Sequence, residues 1–208
     1  MEEKEYLNEV YLAGEMVSEL SYSHTVFGEG FYIFDLCVER LSGKNDILPV
    51  LVSERILDFS PVYKGDYFAV CGQLRSYNKR MENEKCKLVI TVFAKEIIYR
   101  DNIDVSRNSN EVEMLGYICK PPVYRVTPLG REITDMLLAV NRAFGKSDYI
   151  PCIVWGRNAK FAGNFDTGDK IKLIGRIQSR EYEKHFDDKE SEKRTAYEVS
   201  VSNIELVR

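Results

Sequence analysis

The sequence predicts an all-β protein of two tandem five-stranded barrels, each with one short helix between its third and fourth strands. Three observations predict it. The chain repeats itself at a fixed offset, each copy carries five short apolar or alternating segments, and glycines recur inside those segments rather than only between them. The 208 residues suit two small domains of about 100 residues each.

The repeat is the strongest signal. A shift of 102 lays residues 8–55 over 110–157 without a gap, and 16 of the 48 positions are identical, far beyond accident. Asn8-Glu9-Val10 matches Asn110-Glu111-Val112, and Gly14 and Gly28 match Gly116 and Gly130. Arg40 matches Arg142, Gly43-Lys44-x-Asp46 matches Gly145-Lys146-x-Asp148, and Pro49 matches Pro151. One residue is then gained, so that Gly65-Asp66, Gly72 and Ser76 meet Gly168-Asp169, Gly175 and Ser179 at a shift of 103. The chain is read as a duplicated module, with domains at 1–101 and 110–208 and a polar joint at Asp101–Ser109.

In the first module the strands are Val10–Gly14, Phe31–Val38, Ile47–Val52, Asp66–Ser76 and Lys87–Ile98. In the second they are Val112–Cys119, Ile133–Asn141, Tyr149–Trp155, Asp169–Tyr182 and Thr195–Leu206. The last alternates: Tyr197, Val199 and Val201 oppose Glu198, Ser200 and Ser202. Glu54–Phe59 and Arg157–Phe165 have helical character. Five strands with a helix between the third and fourth is the OB-fold pattern. Gly14, Gly72, Gly116 and Gly175 fall within strands, as tight barrel corners require. Pro49 and Pro151 cannot donate to a ladder, so their strand is expected to be a local edge or bulged.

Composition excludes several classes. No window approaches the roughly 18 apolar residues that span a bilayer. The start, Met1–Glu5, is acidic and has no apolar run, which argues against a signal peptide and for a cytoplasmic protein without a membrane role. The five cysteines include no C-x-x-C pair and read as buried reduced thiols. His24 and His185 lack metal-ligand spacing, no acidic metal cluster occurs, and no cofactor or catalytic site is expected. Gly145-Lys146-Ser147 lacks the upstream glycine of a phosphate-binding loop and reads as a turn. Glu183–Lys189 reads as the solvated tip of a long hairpin. Net charge is −4, but 116–180 carries 11 Lys+Arg against 5 Asp+Glu, which leaves a basic face available on the second half.

With those pieces in order, the second module resembles the bacterial single-stranded DNA-binding protein family. The matching pieces include Gly130-Arg131-Glu132-Ile133, Leu138-Ala139-Val140-Asn141-Arg142 and Asp148–Ala159. The most specific is Gly168-Asp169 followed by Ile174-Gly175-Arg176-Ile177-Gln178-Ser179-Arg180-x-Tyr182. The resemblance spans nearly all of 110–206 and reaches the first module through the repeat. It implies sequence-nonspecific binding of single-stranded DNA in replication, recombination or repair. It places base-stacking aromatics at Phe144, Tyr149, Trp155 and Tyr182, although Trp155 also suits a core role. Lys120, Arg125, Arg131, Arg142, Lys146, Arg157, Arg176 and Arg180 are the cations expected to follow the backbone.

The first module has Ser42, Ile47, Ser53 and Lys79 at the four aromatic positions, so its platform reads as lost or rebuilt, with Tyr22, Tyr32 and Tyr77 as alternatives. It is expected to serve backbone contacts or assembly more than stacking. The family's acidic recruiting tail has no counterpart before Arg208, which puts tail-mediated replication partners in doubt. Two barrels per chain imply a homodimer with four. Two other readings are a replication-restart or primosome accessory protein using its barrels for protein contacts, and an OB-fold binder of RNA or another ligand.

Overall fold

The computed structural model describes residues 6–80, 86–104, 107–187 and 190–207. The acidic start Met1–Glu5, Val105 and Ser106 of the joint, and Asp188 and Lys189 of the hairpin tip lie outside them.

The first half contains β1 (Asn8–Met16), β2 (Ser21–Val26), β3 (Glu29–Glu39), β4 (Asn45–Ser53), α1 (Glu54–Phe59), β5 (Tyr67–Arg80) and β6 (Cys86–Tyr99). The second contains β7 (Asn110–Ile118), β8 (Val123–Val126), β9 (Glu132–Asn141), β10 (Ser147–Trp155), α2 (Arg157–Ala162), β11 (Lys170–Asp187) and β12 (Glu190–Leu206). All ten expected strands and both helices are present. α2 stops at Ala162, short of the expected Phe165, where Gly163 caps it. Two strands were not expected: β2 and β8, which are exposed along their whole length and so carry no burial alternation to read.

Within each half the pairings close a ring. β1 pairs with β5, β5 with β6, β6 with β4 in parallel, β4 with β3, and β3 returns to β1. The second half repeats this through β7, β11, β12, β10 and β9. Even-numbered residues of β3 and β4 (Phe34, Leu36, Val38, Leu48, Val50, Val52) point inward and are buried. Closure needs sharp coiling at the long hairpins, and each has a bulge there, between Cys71 and Gly72 and between Ile174 and Gly175. A Cβ on Gly72 would sit 2.2 Å from the Phe93 carbonyl oxygen, and one on Gly175 2.4 Å from that of Ser200. Only glycine permits this approach, as expected for barrel corners.

The prolines behave as local edges without bulges. Pro49 faces Asp35 of β3 with no register shift, and the parallel pairing to β6 begins only at Val50. Pro151 likewise faces Leu137, and β12 joins at Cys152. The missing N–H therefore points where no partner strand runs.

β1 and β7 pair antiparallel and join the halves into one twelve-stranded sheet with one continuous buried core. Val10 faces Val112, so repeat-related residues meet and an approximate twofold axis passes between them. At this seam Asn8 bonds both backbone groups of Leu74, donating to its oxygen at 2.8 Å and accepting from its nitrogen at 2.9 Å. Asn110 does the same to Ile177 at 2.7 and 2.8 Å. Each side-chain amide replaces ladder bonds where its strand leaves one neighbour, which explains why Asn-Glu-Val recurs in both copies.

All five cysteines are free, but only Cys152 is buried; Cys86 is exposed and the other three are half-buried. The expectation of buried thiols is corrected most clearly at Cys86, which lies at the outer end of the β5–β6 hairpin, beyond the core. Among the described residues no helix is long and apolar enough to cross a membrane, and no metal-binding cluster occurs.

Candidate nucleic-acid interface

Strand alternation puts three of the expected aromatics on one outer face. Ile150, Cys152 and Val154 of β10 point inward, so Tyr149 and Trp155 point outward. Tyr149 is 46% exposed; Trp155 is half-buried and donates its indole N–H to Ser200 Oγ at 3.1 Å. On β11 the buried Ile171, Leu173 and Ile177 define the inner side, leaving Arg176, Arg180 and Tyr182 on the outer one. Tyr182 is 36% exposed and the Arg180 guanidinium lies 5.8 Å from its ring centre.

Phe144 belongs to the turn Ala143–Gly145 that leads into β10. Its φ of 64° is left-handed, unusual for a bulky residue, and its ring is 98% exposed. An apolar ring held outward at a cost in backbone strain suits contact with a ligand better than packing. In the first half, Ser42 stands at the corresponding place.

The expected cations divide into three groups. Lys120, Arg131, Lys146 and Arg157 are exposed and make no ion pair with a described residue. Arg125 is held on Asp135 at 2.6 Å, and Arg180 lies 3.8 Å from Glu198. Arg142 and Arg176 face carboxylates at the seam between the halves. Arg142 pairs with Asp148 at 2.9 Å, and Arg176 lies 3.5 Å from Asp46. Burial, with the Arg40 charge beside it, pushes the Arg176 guanidinium below its ordinary range. These two arginines are therefore occupied by a fully buried carboxylate each.

Those carboxylates were legible in the repeat but not as a lock. Asp46 accepts from Arg40 at 2.5 and 2.6 Å and, across the seam, from the backbone N–H of Ser179 at 2.6 Å. Asp148 accepts from the Ser76 N–H at 2.6 Å and from Arg75 at 3.1 Å, both of the first half. The Ser76 hydroxyl in turn accepts from the Tyr149 N–H at 2.7 Å. The seam thus sets the position of the strand carrying Tyr149. Tyr77, expected as an alternative surface group, follows directly on Ser76 and is 51% exposed.

The outer face of β10 and β11 therefore offers separated rings, and the exposed Lys120, Arg131, Lys146 and Arg157 lie in the loops, the turn and the helix of the same half, a combination that can stack flat unsaturated rings strung on an anionic backbone.

The family model described as "Single-strand binding protein family" matches residues 109–207. A single-stranded DNA-binding protein of Clostridium tetani is 40% identical over 81 residues, covering 36% of this chain and 56% of that protein. Single-stranded DNA-binding protein 3 of Clostridium acetobutylicum is 31% identical over 105 residues, covering 47% of this chain and 70% of that protein. The chain spans about half the length of most curated relatives it matches. The crystal structure of the wild-type single-stranded DNA binding protein from Thermus aquaticus has the same fold, with a TM-score of 0.74 at 22% identity over 98% of this chain and 94% of that one. By these matches, and by the motifs on β9, β10 and β11, the chain belongs to the single-strand binding protein family.

Proposed function

We propose that this protein binds single-stranded DNA without sequence preference, in replication, recombination or repair, and catalyses no reaction. The observation that carries the reading is the outer face of the second half, where Tyr149, Trp155 and Tyr182 stand with Arg180, together with the Phe144 ring that protrudes from the turn before β10. Each stacked base contributes about 1–3 kcal/mol and every base has a π-face, so such a surface does not discriminate sequence. Lys120, Arg131, Lys146 and Arg157 supply phosphate contacts; Arg142 and Arg176 hold the seam. The names of the relatives support the same ligand. The two halves, 1–101 and 110–208, act as modules of one cytoplasmic binding unit, and two chains assemble to bring four barrels together.

Fluorescence titration of Trp155 with long oligo-dT, repeated across salt concentrations and against duplex, tests this. Quenching by the single strand that weakens with salt and is absent with duplex is expected. An unchanged signal together with no mobility shift would reject the reading and favour a protein-binding role.

A further inference from the structure

The first half lacks aromatics at the four family positions, yet it carries an aromatic row of its own. His24 on β2 stacks on Phe31 of β3, with ring centres 5.2 Å apart and planes 12° from parallel. Phe31 meets Phe93 of β6 at 6.0 Å, and the Arg75 guanidinium of β5 lies 5.7 Å from the Phe93 centroid. The row crosses the sheet on its outer face, since the inward positions of β3 and β6 are taken by Phe34, Val92 and Ala94. His24 is exposed, Phe93 partly so, and Phe31 between them is buried.

The register relates this row to Trp155. Leu51 faces Phe93 across the parallel β4–β6 pair, and its repeat partner Ile153 faces Ser200 across β10–β12. Phe93 thus occupies the site of Ser200, and Ser53 occupies the site of Trp155. In the second half the aromatic is on β10 and the serine on β12; in the first half the aromatic is on β6 and the serine on β4. Phe31 likewise takes the place of Ile133. The ring has moved one strand over, to the same region of the barrel face. The row also ends at the other site: Arg75 reaches Asp148, and the adjoining Ser76 holds the Tyr149 backbone.

We propose that His24 and Phe93 form a second single-strand contact surface, a stacking platform rebuilt on the first half and backed by the buried Phe31. The proposal rests on the reading above, and its occupant is the same kind of strand: bases stacking on His24 and Phe93, while Arg75 holds the end of the row on Asp148. It replaces the expectation that the first module serves backbone contacts or assembly more than stacking.

The test uses the full chain and two variants, His24→Ala and Phe93→Ser, singly and together, with folding checked by circular dichroism. Native mass spectrometry with oligo-dT of about 10 nucleotides, a length suited to one barrel, counts strands per chain. Trp155 quenching reports the second half independently. Expected are two short strands per wild-type chain and one per double variant, with Trp155 quenching by the short strand retained. Affinity for oligo-dT of about 60 nucleotides should fall about tenfold or more in the double variant. If Phe93→Ser does not fold, His24→Ala alone should still weaken long-strand binding, because His24 is exposed. Unchanged stoichiometry and long-strand affinity in the variants, with Trp155 still quenched, would overturn the second surface and leave the proposed function standing. No binding by the wild-type chain would overturn both.

Discussion

Asp148→Asn isolates the lock between the halves. The Asp148 side chain is fully buried, accepts hydrogen bonds from Arg75 and the Ser76 N–H at 3.1 and 2.6 Å, and forms an ion pair with Arg142 at 2.9 Å. Removing one partner of a buried ion pair costs about 3–5 kcal/mol, because the remaining charges stay desolvated. Here the guanidinium side chains are 23% and 29% exposed, so water recovers part of that loss and the lower end, about 3 kcal/mol, is expected. In a chain of this size that corresponds to a fall in Tm of about 6–12 °C. Asp148→Ala should be worse, since it also orphans the Ser76 N–H at about 1–3 kcal/mol. Asp46→Asn should match Asp148→Asn, because the seam repeats the arrangement through Arg40 and Ser179. Urea unfolding, with calorimetry for Tm, measures all three. If Asp148→Asn stays within about 0.5 kcal/mol of wild type, the carboxylate does not hold the halves together and the reasoning fails.

Further outcomes are expected. Phe144→Gly should raise stability by about 0.5–1 kcal/mol, the left-handed cost of about 1–2 kcal/mol less glycine's entropic cost of about 0.5–1 kcal/mol, and should weaken strand binding; a loss of stability on denaturation would contradict the strain. Gly175→Ala should destabilise by about 1–3 kcal/mol through the Ser200 carbonyl, checked by thermal unfolding. In native protein, iodoacetamide should label Cys86 first and Cys152 only after unfolding, as peptide mass spectrometry can resolve. Burial raises the Cys152 thiol above its ordinary 9.0 and Tyr197 above its ordinary 10.0. Their stabilising contribution is full below those ordinary values and is lost as pH rises through the folded ones, so urea midpoints should decline from about pH 9 upward.

The duplication, the ten principal strands, both helices and the corner glycines are written in the sequence, because they follow from local rules. Alternation reports which face of a strand is buried, and glycine inside an apolar strand reports a close backbone approach. β2 and β8 escaped because an edge strand exposed on both faces carries no such alternation. The position of Tyr149, Trp155 and Tyr182 on one face also follows from period-two spacing, once the strands are placed. What the tertiary structure alone decided is the partner of each charge and ring. Arg142 and Arg176 look like phosphate-binding arginines in the chain, yet they meet carboxylates at the seam. The pairing of β1 with β7 brings Asp148 to Ser76 and Asp46 to Ser179, residues more than 70 positions apart. The Ser53–Phe93 exchange is equally invisible in a linear repeat, since the two residues become neighbours only through the parallel pairing of β4 with β6. Spacing along a strand is a local property of the backbone, whereas contacts across a barrel depend on register and closure, which the whole fold sets.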